Sequence, residues 1–367
     1  MKFHSLPLFF AALVAGSSIL ASPCLALSNV KPLSATSTAT LSSDTTTVTT
    51  TKALADFDYT TNDRIPWMQE GYDSWTWRDH KINYIEMGDS SKPAVLLIHG
   101  FGASAYHWRY NIPVLARDYH VYAIDLLGFG LSDKPLVGYS ADVWRDQAAD
   151  FIREVIQKPT TVAGNSLGGF TALYTSTVQD LQPLIDGCVL LNGAGRFRDP
   201  NAPAVDETKT PNFLTEALKN AFQRLIIGAS FIYTKQPARI EQVLQQVYPV
   251  NPHVVDAELV DSIQFPSQDP NAAEVFFRVI TKNGSGPVQV YVDDLLASLQ
   301  NYNTPLLLCW GEQDPWIRPA AADKIQALYP AAIRDSINAG HCPHDEAYTE
   351  VNASIKAFVD SIQKAKQ

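Results

Sequence analysis

The stretch GNSLGG, residues 164–169, sets a serine between glycines, directly after the apolar run TTVAG and directly before FTALYTS. A serine hydroxyl is a weak nucleophile until a base takes its proton, and that base needs a carboxylate to hold its tautomer. The chemistry to look for is therefore acyl transfer by Ser166, served by an acid and a histidine later in the chain. CWGEQDPWIRP follows an apolar strand-like run and offers Asp314 as the acid, with Glu312 as its competitor. Asp335 lies inside another strand-like run, where it is expected to face solvent. INAGHCPHDE offers His341 and His344 as the base. His341 is preferred because it directly follows Gly340 at the end of a strand. The order Ser, Asp, His is the one used where a nucleophile sits on a strand-to-helix turn. A zinc set of His341, Cys342 and His344 lacks a fourth ligand at metal spacing.

Acyl transfer also needs two backbone N–H groups aimed at the oxygen that gains charge. One belongs to the residue after the nucleophile, Leu167. The other is expected in IHGFGAS, residues 98–104, where Gly100 and Gly102 let the loop approach closely and Phe101 supplies the N–H. His99 reads as a hydrogen-bonded structural histidine of that loop. LLGFGLSDKP is glycine-rich but lacks the spacing of a phosphate loop, so it reads as a turn between strand and helix. The chemistry calls for no metal and no organic cofactor.

Ser166 works only where a strand ends at it and a helix begins at once, and TTVAGN followed by LGGFTALY meets that demand. The same alternation runs through the chain from about residue 74. WTWRDHKINYIEMG reads as a strand pair, AVLLIHG as a buried strand, AYHWRYNIPVLAR as a helix, HVYAIDLLG as a strand and SADVWRDQAADFIREVIQ as an amphipathic helix. GCVLLNGAG, TPLLLCWGEQD and AAIRDSINAG continue the strands; PAAADKIQALYP and TEVNASIKAFVDSIQKA continue the helices. Such alternation predicts an α/β fold, a mostly parallel sheet with helices on both faces. Between Arg196 and about Gln300 only helical runs occur, among them FLTEALKNAFQRLIIGASFIY, ARIEQVLQQVY and AAEVFFRVI. This predicts a helical cap inserted between two strands, over the strand ends where open α/β sheets hold ligands. The expected organisation is a core over 56–195 and 301–367 with a cap over 196–300. RLIIGASFIY and VFFRVI carry more apolar residues than one core-facing stripe needs, which predicts a greasy pocket and peripheral membrane contact through the cap.

With 367 residues, of which 46% are hydrophobic and 18% charged, the chain can bury a substantial core. Its net charge of −10 and the lack of any long basic block exclude a nucleic-acid partner. Oligomeric state is not readable. Residues 1–26, with Lys2 ahead of LPLFFAALVAG and small residues around Ala21 to Ala26, read as a signal peptide. The Ser/Thr-rich, acid-poor stretch 27–55 cannot form a core and reads as a transit-like segment. Together they resemble the bipartite presequences that carry proteins into algal plastids; plain secretion is the alternative. Cys24 leaves with the presequence, and Cys188, Cys309 and Cys342 show no disulfide spacing. Sequons stand at Asn283 and Asn352.

HGFG, the G-x-S-x-G elbow, D-x-W-x-R-P after a strand and a late G-H pair resemble the α/β-hydrolase fold family over about 74–365. Within it, WRDQ (144–147), AGNSLGG (163–169), DPWIRP (314–319) and AGHCPHDE (339–346) are similar to the pheophytinases, plastid esterases that remove phytol from magnesium-free chlorophyll. The stretch DKPLVGYSADV is shorter than that resemblance implies. Carried over residue by residue, it implies Ser166, Asp314 and His341 as the triad and a phytyl ester of pheophytin or chlorophyll as substrate. Family members that open epoxides attack with a carboxylate, whereas this elbow carries a serine. Two other readings stay open: a carboxylesterase or lipase of another apolar ester, and a hydrolase-fold ligand receptor with slow turnover.

Overall fold

The computed structural model describes residues 53–199, 213–281 and 289–367. The signal peptide, nearly all of the Ser/Thr-rich segment, Cys24 and the Asn283 sequon lie outside the described residues. The apolar runs form one sheet of eight strands: β1 (Asp73–Trp77), β2 (His80–Met87), β3 (Ala94–Ile98), β4 (His120–Ile124), β5 (Thr160–Asn165), β6 (Ile185–Leu191), β7 (Leu306–Gly311) and β8 (Ile333–Ile337). Their order is β1-β2-β4-β3-β5-β6-β7-β8. β1 and β2 pair antiparallel and β2 meets β4 antiparallel, while every later pairing is parallel. Every residue of β3, β4, β5 and β7 is buried, which is why these strands read as continuous apolar runs rather than alternations. The β1–β2 turn is Arg78–Asp79, both with positive φ (48° and 64°), the requirement of a two-residue type I′ hairpin.

Successive strand residues point to opposite faces, and helices cover both. On one face Leu96, Ile98, Val162, Leu190 and Leu308 pack against α1 (Ala141–Phe151) and α2 (Leu167–Thr175). Between β6 and β7 run α3 (Phe213–Thr234), α4 (Pro237–Val247), α5 (Ala257–Gln264), α6 (Ala272–Ile280) and α7 (Val292–Asn301), and the described residues of this stretch hold no strand. α4 and α5 share a small apolar cluster of their own around Leu244, Tyr248 and Leu259. α7 instead buries Val292, Leu295, Leu296 and Leu299 in the core of the sheet. α8 (Ala320–Leu328) joins that same face, and α9 (Tyr348–Ala365) covers the other through Val351, Ile355 and Phe358.

One expectation needs correction. AYHWRYNIPVLAR is not one helix but a 3₁₀ turn (Ala105–Trp108) followed by a short α-helical turn (Ile112–Ala116). Pro113 has no N–H to offer the Arg109 carbonyl, which accepts instead from the Ile65 N–H at 3.1 Å. The sequon Asn352 is 5% exposed; its amide donates to the Tyr110 carbonyl and accepts from Asn111, so it presents nothing to a glycan. Cys188, Cys309 and Cys342 are free and buried.

Candidate active site

β5 ends at Asn165 and α2 begins at Leu167, so Ser166 occupies the one-residue corner between them. Its φ of 54° and ψ of −116° are strained for a residue with a side chain. Close approach of strand and helix imposes that corner. A Cβ on Gly164 would lie 2.1 Å from the Gly168 carbonyl oxygen, and one on Gly168 would lie 2.2 Å from that of Ile98. The backbone of Ser166 is held on both sides: its N–H donates to Leu191 and its carbonyl accepts from Phe170 and Ala194. Leu167, as the first residue of α2, has no acceptor for its N–H within the helix. Phe101 lies in the loop after β3, its ring against Phe129 and Phe276. A Cβ on the adjacent Gly100 would come 3.3 Å from the Ser166 Cβ, so this loop lies against the serine. His99 braces it from below, its Nδ1 meeting the Gly100 carbonyl at 2.7 Å while Nε2 accepts from the Leu126 N–H. Burial pushes its pKa down, in keeping with a neutral structural ring.

Asp314 is buried in the loop after β7. Its Oδ1 accepts from the Trp316 and Ile317 N–H groups at 2.7 and 3.0 Å. Its Oδ2 accepts from Asn192 Nδ2 and meets His341 Nδ1, each at 2.7 Å. With Nδ1 committed to the carboxylate, Nε2 is the nitrogen left for chemistry. Glu312 is exposed, and Asp335 sits half-buried within β8, opposite Cys309. His344 is fully buried between the rings of Trp108 (4.2 Å) and His107 (5.1 Å), with no hydrogen-bond partner at either ring nitrogen. Burial holds it well below the usual histidine range. Among the described residues no group of three or more His, Cys, Asp or Glu side chains is placed to hold a metal ion.

Ser166 and His341 line one cavity of about 190 Å³. Its walls are largely apolar: Phe101 and Phe129 from the core, Phe231 from α3, Leu244 from α4, Val275 and Phe276 from α6. Lys134, Lys235 and His107 are among its scattered polar groups, with Asn165, Thr234 and Ser267.

Four supporting residues, Asn192, Asn165, Arg109 and Tyr248, were given no role by any motif. Asn192, with a φ of 45° just past β6, donates to Asp314 and accepts from the Gly311 N–H. Asn165 donates to the carbonyls of both Leu191 and His341. Arg109, fully buried, pairs with Asp345 and Asp256 and donates to the Val254 carbonyl, while Tyr248 donates to Asp345 and meets His107. Only the asparagine following GCVLL hinted at such a role, since Asn is among the few side-chain-bearing residues that tolerate a left-handed backbone.

The model of the alpha/beta hydrolase family matches residues 95–354. Pheophytinase, chloroplastic, of Arabidopsis thaliana is 30% identical over 77% of this chain, and the chain spans 65% of that protein's length. Epoxide hydrolase 3 of Xenopus tropicalis is 24% identical over 79% of this chain and 78% of its own. Among solved structures, a bacterial membrane phospholipase A superimposes with a TM-score of 0.59 and 25% identity, covering 79% of this chain and 86% of its own.

Proposed function

The chain belongs to the alpha/beta hydrolase family, and on that premise we propose that it is a serine esterase whose substrate is the phytyl ester of pheophytin or chlorophyll. The observation that carries the ester chemistry is the serine at a strained corner sharing a cavity with a histidine whose Nδ1 is committed to a buried aspartate. Ser166 Oγ attacks the ester carbonyl as His341 Nε2 takes its proton. The N–H groups of Phe101 and Leu167 receive the charge that develops on the carbonyl oxygen. His341 returns the proton to the departing alcohol, leaving an acyl-enzyme. It then takes a proton from water, whose oxygen attacks the acyl carbon, and passes that proton to Ser166 Oγ as the acid leaves. Asp314 holds the ring in the required tautomer throughout. Opening of an epoxide by a family member calls for a carboxylate at the elbow, and here the elbow carries Ser166.

The apolar cavity supports a long-chain ester, and the name of the Arabidopsis relative supports a pigment. That name also supports a plastid address, with secretion as the alternative. The outward face of α3 carries Leu225, Ile226, Ile232 and Tyr233 at 70%, 47%, 60% and 44% exposure, while Phe231 and Thr234 on the same helix line the cavity. This supports peripheral contact with a lipid surface, from which a greasy ester would enter. The test gives pheophytin, chlorophyll and a short aryl ester to the protein and to Ser166→Ala. Phytol-free pigment is expected from the parent, with at least about a 10⁴-fold loss in the variant. Cleavage of the aryl ester alone would leave the esterase reading and remove the pigment. No turnover of any ester would favour a ligand receptor.

A further inference from the structure

The loop that carries His341 is held by the cap as well as by the core. A Cβ on Gly311 of β7 would overlap the Gly340 carbonyl oxygen, so the strand packs directly beneath the loop. From the other side, a Cβ on Gly340 would lie 2.3 Å from the Val247 carbonyl oxygen and 2.4 Å from Pro249 Cδ. Val247 is the last residue of α4, and its carbonyl accepts the backbone N–H of His341 at 3.0 Å. The same cap segment is tied to the loop a second time. Glu346 is 4% exposed, and its Oε1 accepts the N–H groups of Val250 and Asn251 at 2.7 and 2.8 Å. Its Oε2 accepts the N–H of Gly340, the residue before His341. One buried carboxylate thus spends its acceptors on three backbone amides, two in the cap and one beside the base.

We propose that Glu346 is a positioning residue for His341, fastening cap residues 247–251 to the loop that presents the imidazole so that this end of the cap and the base keep one geometry. The proposal rests on His341 being the base of a serine hydrolase. It has a physical logic. Hydrogen bonds that amide N–H groups donate to a carboxylate are stronger than those to a neutral acceptor, and three of them from two segments resist sliding of one past the other. A misplacement of about 1 Å at a catalytic group can cost about 10²-fold in rate.

The test uses Glu346→Gln in the full chain, which keeps the size of the side chain but turns an NH₂ donor toward backbone donors. Three readings are taken beside the parent and Ser166→Ala: labelling of Ser166 by a fluorophosphonate, kcat and KM on an aryl ester, and the low-field proton resonance of His341 Nδ1. Labelling and kcat are expected to fall about 10²-fold while KM stays close to the parent value, with the Nδ1 resonance shifted or broadened. Should Glu346→Gln fail to fold, Glu346→Asp, which keeps the charge but is too short to reach both segments, is put to the same readings with the same expectation. Parental labelling, kcat and resonance in a folded variant overturn the proposal. Failure of the parent itself to react with the fluorophosphonate, or full activity in Ser166→Ala, would instead overturn the serine-hydrolase reading on which it stands.

Discussion

The corner that holds Ser166 and the arm that holds His341 are built on opposite principles. The corner is steric: Gly164 lets β5 close on α2, Gly168 lets α2 close on the carbonyls that end β3, and the residues of the pentapeptide are contiguous. The arm is hydrogen-bonded and scattered: Asp314 and His341 are fixed by Asn192, Asn165, Val247 and Glu346, drawn from separate parts of the chain. A steric device tolerates no substitution but needs few residues. A polar device spreads its geometry over many partners, each of which can be weakened singly.

The sharpest break falls on the arm. Asp314→Asn is expected to lower kcat about 10⁴-fold with little change in fold, because the amide leaves the imidazole in the wrong tautomer. Glu312→Gln, at an exposed position, is expected to leave kcat at the parental value. Equal losses in the two variants would remove Asp314 from its proposed role. The corner breaks differently, through folding. Gly164→Ala drives a Cβ into the Gly168 carbonyl and is expected to cost about 3 kcal/mol or more in denaturant unfolding. Gly228→Ala is its control, since a Cβ there on α3 meets nothing within 4 Å and alanine is the better helix former by up to about 1 kcal/mol. A Gly164→Ala protein as stable as the parent would show that the corner is not sterically forced.

This contrast also explains what was legible in the amino-acid sequence. The sheet, its helices and the elbow were readable because they depend on local periodicity and on glycine spacing, and the strand-to-helix junction at Ser166 is where the motif places it. Asp314 and His341 were readable as candidates because each follows a strand, and the structure brings their side chains together. Their supports were not readable. Asn165 occupies an unspecified position of the pentapeptide, Glu346 looks like any acid in a first helical turn, and the partner backbone of Val247 carries no side-chain signal at all. The broken helix at 105–116 was lost for a similar reason: Pro113 frees a carbonyl whose new partner, Ile65, lies far away in sequence.

Within the arm, Asn192 offers a graded break. Asn192→Ala removes a hydrogen bond to the Asp314 carboxylate and another from the Gly311 N–H. Bonds to charged groups contribute about 1.5–3 kcal/mol, so kcat is expected to fall by one to two orders of magnitude. A loss confined to KM would mean that Asn192 shapes the cavity and not the acid.

The smallest effect separates the two histidines of the arm. His344 has no partner at either ring nitrogen, and burial depresses its pKa; burial also pushes His107 down to about 3 and lowers His99. His344 and His107 are therefore neutral in the folded protein under mildly acid conditions and His99 is shifted in the same direction, whereas in the unfolded chain all three take up protons below about pH 6.5. The unfolded state then binds more protons, so stability must fall as pH drops below that value, by about 1 kcal/mol per pH unit for each such ring. His344→Leu removes one ring and its unpartnered nitrogens. It is expected to keep turnover, to change stability at pH 7 by no more than about 1 kcal/mol, and to flatten the loss of stability between pH 6 and pH 5 by about the same amount. Urea unfolding of parent and variant at pH 7, 6 and 5 reads the difference. Equal slopes would mean that His344 is solvated and titrates normally, and a loss of turnover would move the proposed base from His341 to His344.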